Sequence, residues 1–283
     1  MKVGFIGLGA MGLGMARNIA KSGFLTAVYN RTASKAEGLA IELDVCFCDS
    51  VQELAKQVDV VLLCVSADDD VLQVVSGVLE TIKSGAIVID MSTVSIDTAR
   101  KAAKILSVKQ VGFLDAPVSG GVEGAKNGTL AIMAGGNESV LDQVRPILES
   151  MSSRIVYMGE TGAGQGTKAV NQIMAAGINQ AVTEALAFGQ AQGLAMDKVV
   201  DVISGGAAGN WFLQHRGHTM TSGSFTPGFK VALHHKDLKI CQAMAEQTGM
   251  SLALVEKTIR DYQQLMEQGH ADEDISALYR LKK

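Results

Sequence analysis

Gly7-Leu8-Gly9-Ala10-Met11-Gly12 stands directly after the apolar run Lys2–Gly7 and opens the amphipathic stretch Met11–Ser22. In this setting the first glycine permits a tight turn and the second lets the backbone approach a pyrophosphate. The third lets helix and strand pack closely. Amide N–H groups and the dipole at the helix start then face the phosphates. A second apolar run, Leu25–Asn30, completes a strand–helix–strand unit. Gly7, Leu8, Gly9, Ala10, Met11 and Gly12 are therefore the expected phosphate loop. A glycine-rich turn without a ligand is the alternative, and the βαβ setting disfavours it.

The end of the second run bears on which nucleotide binds. An NAD enzyme usually carries an acid there for the ribose hydroxyls, but this chain reads Tyr29-Asn30-Arg31-Thr32. No carboxylate repels a 2′-phosphate, and the planar fork of Arg31 can pair with one. Asn30, Arg31 and Thr32 are expected at this end of the cofactor, with NADP preferred and NAD as the alternative. An exposed loop arginine is the competing reading of Arg31.

The same rhythm continues along the chain. Further apolar runs at Val60–Cys64, Ala86–Asp90, Gly112–Asp115, Thr129–Ala134 and Ile155–Tyr157, with a short Val45–Phe47, alternate with helix-like stretches such as Ser34–Leu43 and Val71–Leu79. That alternation predicts a parallel sheet covered on both faces. After Tyr157 the texture changes to a glycine loop and a long alanine-rich stretch, Thr167–Gln192. Helical segments follow at Met196–Ser204, Trp211–His215, Lys230–Gln247 and Leu252–Gln268. The predicted fold is an α/β Rossmann-type dinucleotide-binding domain, residues 1–161, followed by an all-α substrate and dimerisation domain, residues 162–283, with the cleft between them. Aliphatic residues lie around most of the long helix, so its burial calls for a partner subunit in a homodimer or homotetramer.

The chain has 283 residues and a net charge of -4 at pH 7, with no basic block. That argues against a nucleic-acid groove, and no apolar run approaches the roughly 18 residues of a membrane span. A few placed cations still suffice for a carboxylate-bearing small molecule. The amino terminus shows no signal-peptide pattern. Cys46, Cys48, Cys64 and Cys241 lack the second pair that a zinc site needs, and they read as buried, reduced thiols of a cytoplasmic enzyme.

Two more stretches carry chemistry. Asp115-Ala116-Pro117-Val118-Ser119-Gly120-Gly121 ends a predicted strand; its Ser-Gly-Gly turn exposes a hydroxyl and successive amides that can cradle an anion. By itself it equally serves as a strand-to-helix turn. Gly162-Ala163-Gly164-Gln165-Gly166-Thr167-Lys168-Ala169-Val170-Asn171-Gln172 enters the long helix, with Lys168 and Asn171 on one face. Burial lowers a lysine pKa towards neutrality, as proton exchange requires. A lysine snorkelling to water is the alternative.

Together these stretches resemble the β-hydroxyacid dehydrogenase family, relatives of 6-phosphogluconate dehydrogenase. The resemblance covers Lys2 to about Arg280. It rests on Gly4–Gly12, Asp115–Gly121, Gly164…Lys168…Asn171 and Lys236-Asp237-Leu238 in matching order. It implies that Lys168 is the general acid or base, that Ser119, Gly120 and Gly121 hold the substrate carboxylate, and that Asn171 orients substrate or lysine. It further implies cofactor contacts at Val65, Ser66, Thr93 and Lys236, Asp237 as a support for Lys236, and an aromatic wall at Phe229. Relatives often carry Pro where Ser66 stands, which weakens that position. The implied activity is hydride transfer between NAD(P) and a short β-hydroxy acid or its semialdehyde or keto acid.

Other features read more plainly. Asp68-Asp69-Asp70 is expected to cap a helix and serve its dipole, and no metal is called for. Trp211, Phe212 and His215 are expected to pack near the cleft, and His234 and His235 to position neighbours. Two rival readings are an imine reductase, which typically lacks a lysine at position 168, and a non-catalytic cofactor-binding module.

Overall fold

A computed structural model describes residues 1–282. The chain forms two compact units that divide between Lys168 and Ala169.

The first unit follows the predicted alternation. In chain order it runs β1 (Val3–Ile6), α1 (Ala10–Lys21), β2 (Leu25–Tyr29), α2 (Ala33–Leu43), β3 (Cys46–Phe47), α3 (Val51–Gln57), β4 (Val60–Leu63) and α4 (Asp68–Thr81). It continues through β5 (Ile87–Asp90), α5 (Ile96–Ser107), β6 (Gly112–Asp115), β7 (Val118–Ser119), α6 (Gly121–Asn127), β8 (Leu130–Gly136), α7 (Glu138–Glu149) and β9 (Ser152–Gly159). The start of α8 (Ala163–Ala191) closes the unit.

The strands lie in the order β3-β2-β1-β4-β5-β6-β8-β7, with β9 beside β8. Pairing is parallel from β3 through β6. A fully parallel sheet is not what forms, however, because β8 runs antiparallel to β6 and β7. The chain reverses at the Pro117–Gly128 segment without a long crossover, and a two-residue strand such as β7 is too short to show a period.

Successive residues on the central strands face opposite sides of the sheet, as the strand period of two requires. Phe5, Leu62 and Ile89 pack on one face with Met15 and Ile19 of α1. Ile6, Leu63 and Val88 pack on the other with Val71, Val75 and Val78 of α4. Both faces are covered, so β4 and β5 are buried at every position. Local chemistry sets the helix starts: Ser50 Oγ accepts from Glu53 N at 3.1 Å and Ser95 Oγ from Thr98 N at 3.1 Å.

The second unit contains the rest of α8, then α9 (Met196–Ser204), α10 (Trp211–Thr221), α11 (Val231–Gln247), α12 (Ala253–Glu267) and a terminal 3-10 helix (Ile275–Lys282). Its core gathers Phe212, Leu213, Leu238, Val255, Tyr262, Leu265 and Tyr279. No helix among the described residues is long and apolar enough to cross a membrane.

Several sequence expectations need adjustment. The long helix starts at Ala163, not Thr167. The compact units divide between Lys168 and Ala169, a little way into that helix. Cys48 and Cys241 are buried, but Cys46 is exposed and Cys64 only partly covered; β3 is the sheet's edge strand, which leaves Cys46 at the surface. Phe212 joins the core, whereas Trp211 stacks on His215 at 4.2 Å and stays 59% exposed. Asp68, Asp69 and Asp70 do open α4, and the Asp68 carboxylate also accepts from Ser95 N, Ser95 Oγ and Thr98 Oγ1 at 2.6–3.0 Å, joining α4 to α5.

Two glycines give opposite predictions. A Cβ at Gly164 would collide with the carbonyl oxygens of Asp115 and Met133, whereas one at Gly38 would meet nothing within 4 Å. Urea unfolding should show Gly164→Ala destabilising by about 1–3 kcal/mol or more. Gly38→Ala in the exposed face of α2 should stabilise by about 0.5–1 kcal/mol.

Candidate active site

The glycine loop between β1 and α1 has the geometry that its spacing suggests. Gly7 has φ +95°, and a Cβ there would strike the Cys64 carbonyl. A Cβ at Gly12 would strike the Gly7 carbonyl, so helix and turn touch backbone to backbone. At Gly9 a Cβ would meet nothing within 4 Å. Two glycines are thus needed for packing and the middle one keeps an approach clear. No side chain caps the first amides of α1. The loop fits a dinucleotide pyrophosphate, with the amides of Ala10, Met11 and Gly12 as donors.

Asn30 braces this loop from β2. Its Oδ1 accepts from Leu8 N at 2.8 Å, and its Nδ2 donates to Thr32 O at 3.0 Å. Arg31 is 85% exposed and pairs with Asp70 at 3.3 Å. So exposed a pair contributes little to stability, and a phosphate can replace the carboxylate.

The loops after β4 and β5 are tied together beneath. Val65 N donates to Ser92 Oγ at 2.9 Å, and Ser92 N donates to Asp90 Oδ1 at 2.9 Å. The Gln165 amide clamps the same loop: Nε2 donates to Ser92 O at 2.8 Å, and Oε1 accepts from Val94 N at 3.2 Å. Thr93 sits between these held neighbours, partly exposed, as does Val65; Ser66 is exposed. Burial raises the Asp90 pKa to about 6, opposed by its hydrogen bonds to Ser92.

Asp115, at the end of β6, holds the start of α8. Its Oδ1 accepts from Gly162 N at 2.8 Å and its Oδ2 from Gln165 N at 2.9 Å. Burial pushes the Asp115 carboxyl up, and these backbone donors oppose that shift. The sequence placed Asp115 and Gln165 within motifs but gave neither a role of its own. A signal existed in Gly164 and Gly135, whose absent side chains make room for the carboxylate. A Cβ at Gly135 would lie 2.6 Å from Asp115 Oδ1.

One helical turn beyond Gln165, Lys168 is 8% exposed, and its Nζ donates to Val118 O at 2.8 Å. The snorkelling alternative does not hold. The ammonium lies against the residue preceding Ser119, in the turn where Gly120 and Gly121 adopt φ +134° and +64°. Those angles favour glycine and leave the turn without side chains.

The second unit holds the remaining expected residues. Asn171 Nδ2 donates to Gln172 Oε1 at 2.8 Å, and Lys236 pairs with Asp237 at 2.9 Å. The Phe229 ring lies 5.2 Å from the His234 ring. His234 and His235 are buried, and His234 is bonded to Tyr262 OH and Gln172 O, a positioning role.

The family model for the NAD binding domain of 6-phosphogluconate dehydrogenase matches residues 2–159. A second, described as NAD-binding of NADP-dependent 3-hydroxyisobutyrate dehydrogenase, matches residues 162–282. The chain belongs to the β-hydroxyacid dehydrogenase family. As a member it is an NAD(P)-dependent oxidoreductase with a Rossmann-type domain and a helical one. It is 36% identical to 2-hydroxy-3-oxopropionate reductase of Escherichia coli, over 89% of this chain and 87% of that one. It is 33% identical to glyoxylate/succinic semialdehyde reductase 1 of Arabidopsis thaliana, over 98% and 97%. The solved structure of Mycobacterium tuberculosis 3-hydroxyisobutyrate dehydrogenase with L-serine superposes at a TM-score of 0.90, with 32% identity, covering 99% and 98%. Imine reductases are more distant, at 19–22% identity and TM-scores of 0.63–0.68, and share the fold alone.

Asp90 gives a pH-dependent prediction. A folded pKa of about 6, above the unfolded value near 3.8, means that Asp90 favours folding below the unfolded value and loses this contribution as pH rises through about 6. Asp90→Asn carries no charge at any pH. Its Tm relative to the native chain should therefore improve between pH 5 and pH 8, as followed by thermal melts. A difference independent of pH would show that Asp90 does not titrate there.

Proposed function

We propose that the chain is an NADP(H)-preferring reductase or dehydrogenase that interconverts a short β-hydroxy acid with its semialdehyde or keto acid, using Lys168 as general acid or base. The observation that carries this reading is the buried Lys168 ammonium, fixed by the Val118 carbonyl at the edge of the Ser119–Gly121 turn. A lysine withdrawn from water and placed beside an anion cradle suits proton exchange with a carboxylate-bearing substrate.

The nicotinamide, when bound, donates or accepts the hydride. The protein residues supply the rest. Ser119 Oγ and the amides of Gly120 and Gly121 receive the substrate carboxylate. An ammonium has three N–H donors, so the Val118 bond orients Lys168 and leaves it able to donate to a substrate oxygen. In reduction it gives that oxygen a proton as the hydride arrives; in oxidation the neutral amine takes the proton back. Asn171 orients substrate, Phe229 forms an apolar wall, and Thr93, Val65, Ser66 and Lys236 contact the cofactor. Arg31 takes the 2′-phosphate in place of Asp70, with Asn30 and Thr32 shaping the loop around it.

The assembly we propose is a homodimer or homotetramer. Val170, Met174 and Ile178 recur at a spacing of four along α8 and are 57%, 61% and 36% exposed; Phe188 is 65% exposed. An apolar stripe of this kind fits a second copy of the chain. A cytosolic setting would keep its unbridged thiols reduced.

Lys168→Ala should lower turnover by about 10²–10⁴-fold with short aldehyde acids while NADPH binding, followed by fluorescence, is retained. Unchanged turnover would remove Lys168 from the chemistry, whereas a native chain that binds NADPH but turns over no short aldehyde acid would favour a non-catalytic cofactor-binding module. Arg31→Ala should raise the KM for NADPH by about tenfold and leave that for NADH nearly unchanged. Equal effects on both would show that Arg31 does not read the phosphate.

A further inference from the structure

Gln172 is 2% exposed, and both ends of its side-chain amide are used. Its Oε1 accepts from Asn171 Nδ2 at 2.8 Å, and its Nε2 donates to Asp237 Oδ2 at 2.7 Å. The orientation of the amide is fixed by chemistry. A carboxylate only accepts, so it must face the NH₂ end; an amide NH₂ only donates, so it must face the oxygen. Asp237 is 4% exposed, and its second oxygen takes the Lys236 ammonium at 2.9 Å.

The four residues form two adjacent pairs, Asn171-Gln172 on α8 and Lys236-Asp237 on α11. The inner members, Gln172 and Asp237, bond across the two helices. The outer members, Asn171 and Lys236, each bond to their inner neighbour. The Gln172 backbone is held as well: its carbonyl receives His234 Nε2 at 3.2 Å, while His234 Nδ1 meets Tyr262 OH at 3.0 Å. Tyr262 OH accepts in turn from Asn179 Nδ2 at 2.9 Å. Gln172 therefore has little freedom to relax when one of its partners moves.

From this arrangement we infer that Gln172 is a positioning residue that sets Asn171 and Lys236 jointly, through one amide. By accepting from Asn171 Nδ2 it fixes the orientation of the Asn171 amide, and with it where the carbonyl oxygen and the second N–H are presented to a ligand. By donating to Asp237 it stabilises the buried carboxylate that anchors Lys236, the proposed cofactor contact. The inference rests on the roles proposed above for Asn171 and Lys236. Its distinct content is that substrate handling and cofactor affinity share a single support which touches neither ligand.

Double-mutant cycles test this, with kcat as one readout and the NADPH Kd from fluorescence titration as the other. Gln172→Met keeps the bulk and removes both bonds. It should lower kcat and weaken NADPH binding, each by about tenfold. In an Asn171→Ala background its effect on kcat should largely vanish. In a Lys236→Ala background its effect on Kd should vanish likewise. Full effects persisting in both backgrounds would overturn the inference, because a merely structural role adds to each neighbour's loss. If Asn171→Ala and Lys236→Ala alone change neither kcat nor Kd, the site reading itself fails and takes the inference with it.

Gln172→Glu provides a second route should the methionine variant not fold. It keeps an acceptor for Asn171 but opposes Asp237 with like charge. NADPH affinity should then fall by more than kcat does. Equal losses in both, or no loss in either, would contradict a shared support.

Discussion

Two hydrogen bonds from the start of α8 to the Asp115 carboxylate organise the part of the first unit that carries Lys168. Asp115 closes β6, and its two oxygens accept from Gly162 N and Gln165 N. Such approach requires that Gly135 and Gly164 have no side chains. Three residues past Asp115 the chain reaches Val118; three past Gln165 it reaches Lys168, and these two bond as well. The strand end and the helix start are thus joined at a carboxylate and again at an ammonium. The second bond brings Lys168 to the Ser119 turn, and it depends on the first.

The buried polar groups around this joint follow the rule that burial is tolerable when donors and acceptors are matched. Gln165 contributes its backbone N–H to Asp115 and both ends of its side chain to the Ser92–Val94 loop. Asp90 is the exception, with one carboxylate oxygen lacking a partner, and burial raises its pKa accordingly. The second unit repeats the principle in the chain from Asn171 through Gln172 and Asp237 to Lys236. In both units one glutamine amide ties together segments distant in sequence.

Much of this was legible in the sequence. The Gly7–Gly12 loop marked the first βαβ unit, and the continuous apolar runs marked strands covered on both faces. The parallel strands β1, β2, β4, β5 and β6 fall inside the predicted runs. What escaped was long-range. The antiparallel return through β7 and β8 leaves no periodic trace in a two-residue strand. Asp115 was visible as part of a motif, but its bonds to Gly162 and Gln165 cross about fifty residues of chain, 115 to 162 and 165. Gln165 and Gln172 lie within the quoted glycine-loop stretch yet look like ordinary helix formers, since only their partners reveal their use. The acids at the start of α4 open that helix as expected, but the further Asp68 bonds to Ser95 and Thr98 escaped for the same reason, since they cross about thirty residues of chain.

The account stands most directly on where a substrate oxygen meets Lys168. A crystal structure with NADP and a bound short hydroxy acid would measure it. The substrate hydroxyl should lie within hydrogen-bond distance of Lys168 Nζ, with its carboxylate on Ser119, Gly120 and Gly121. A substrate bound elsewhere, with no oxygen near Lys168 Nζ, would contradict the account.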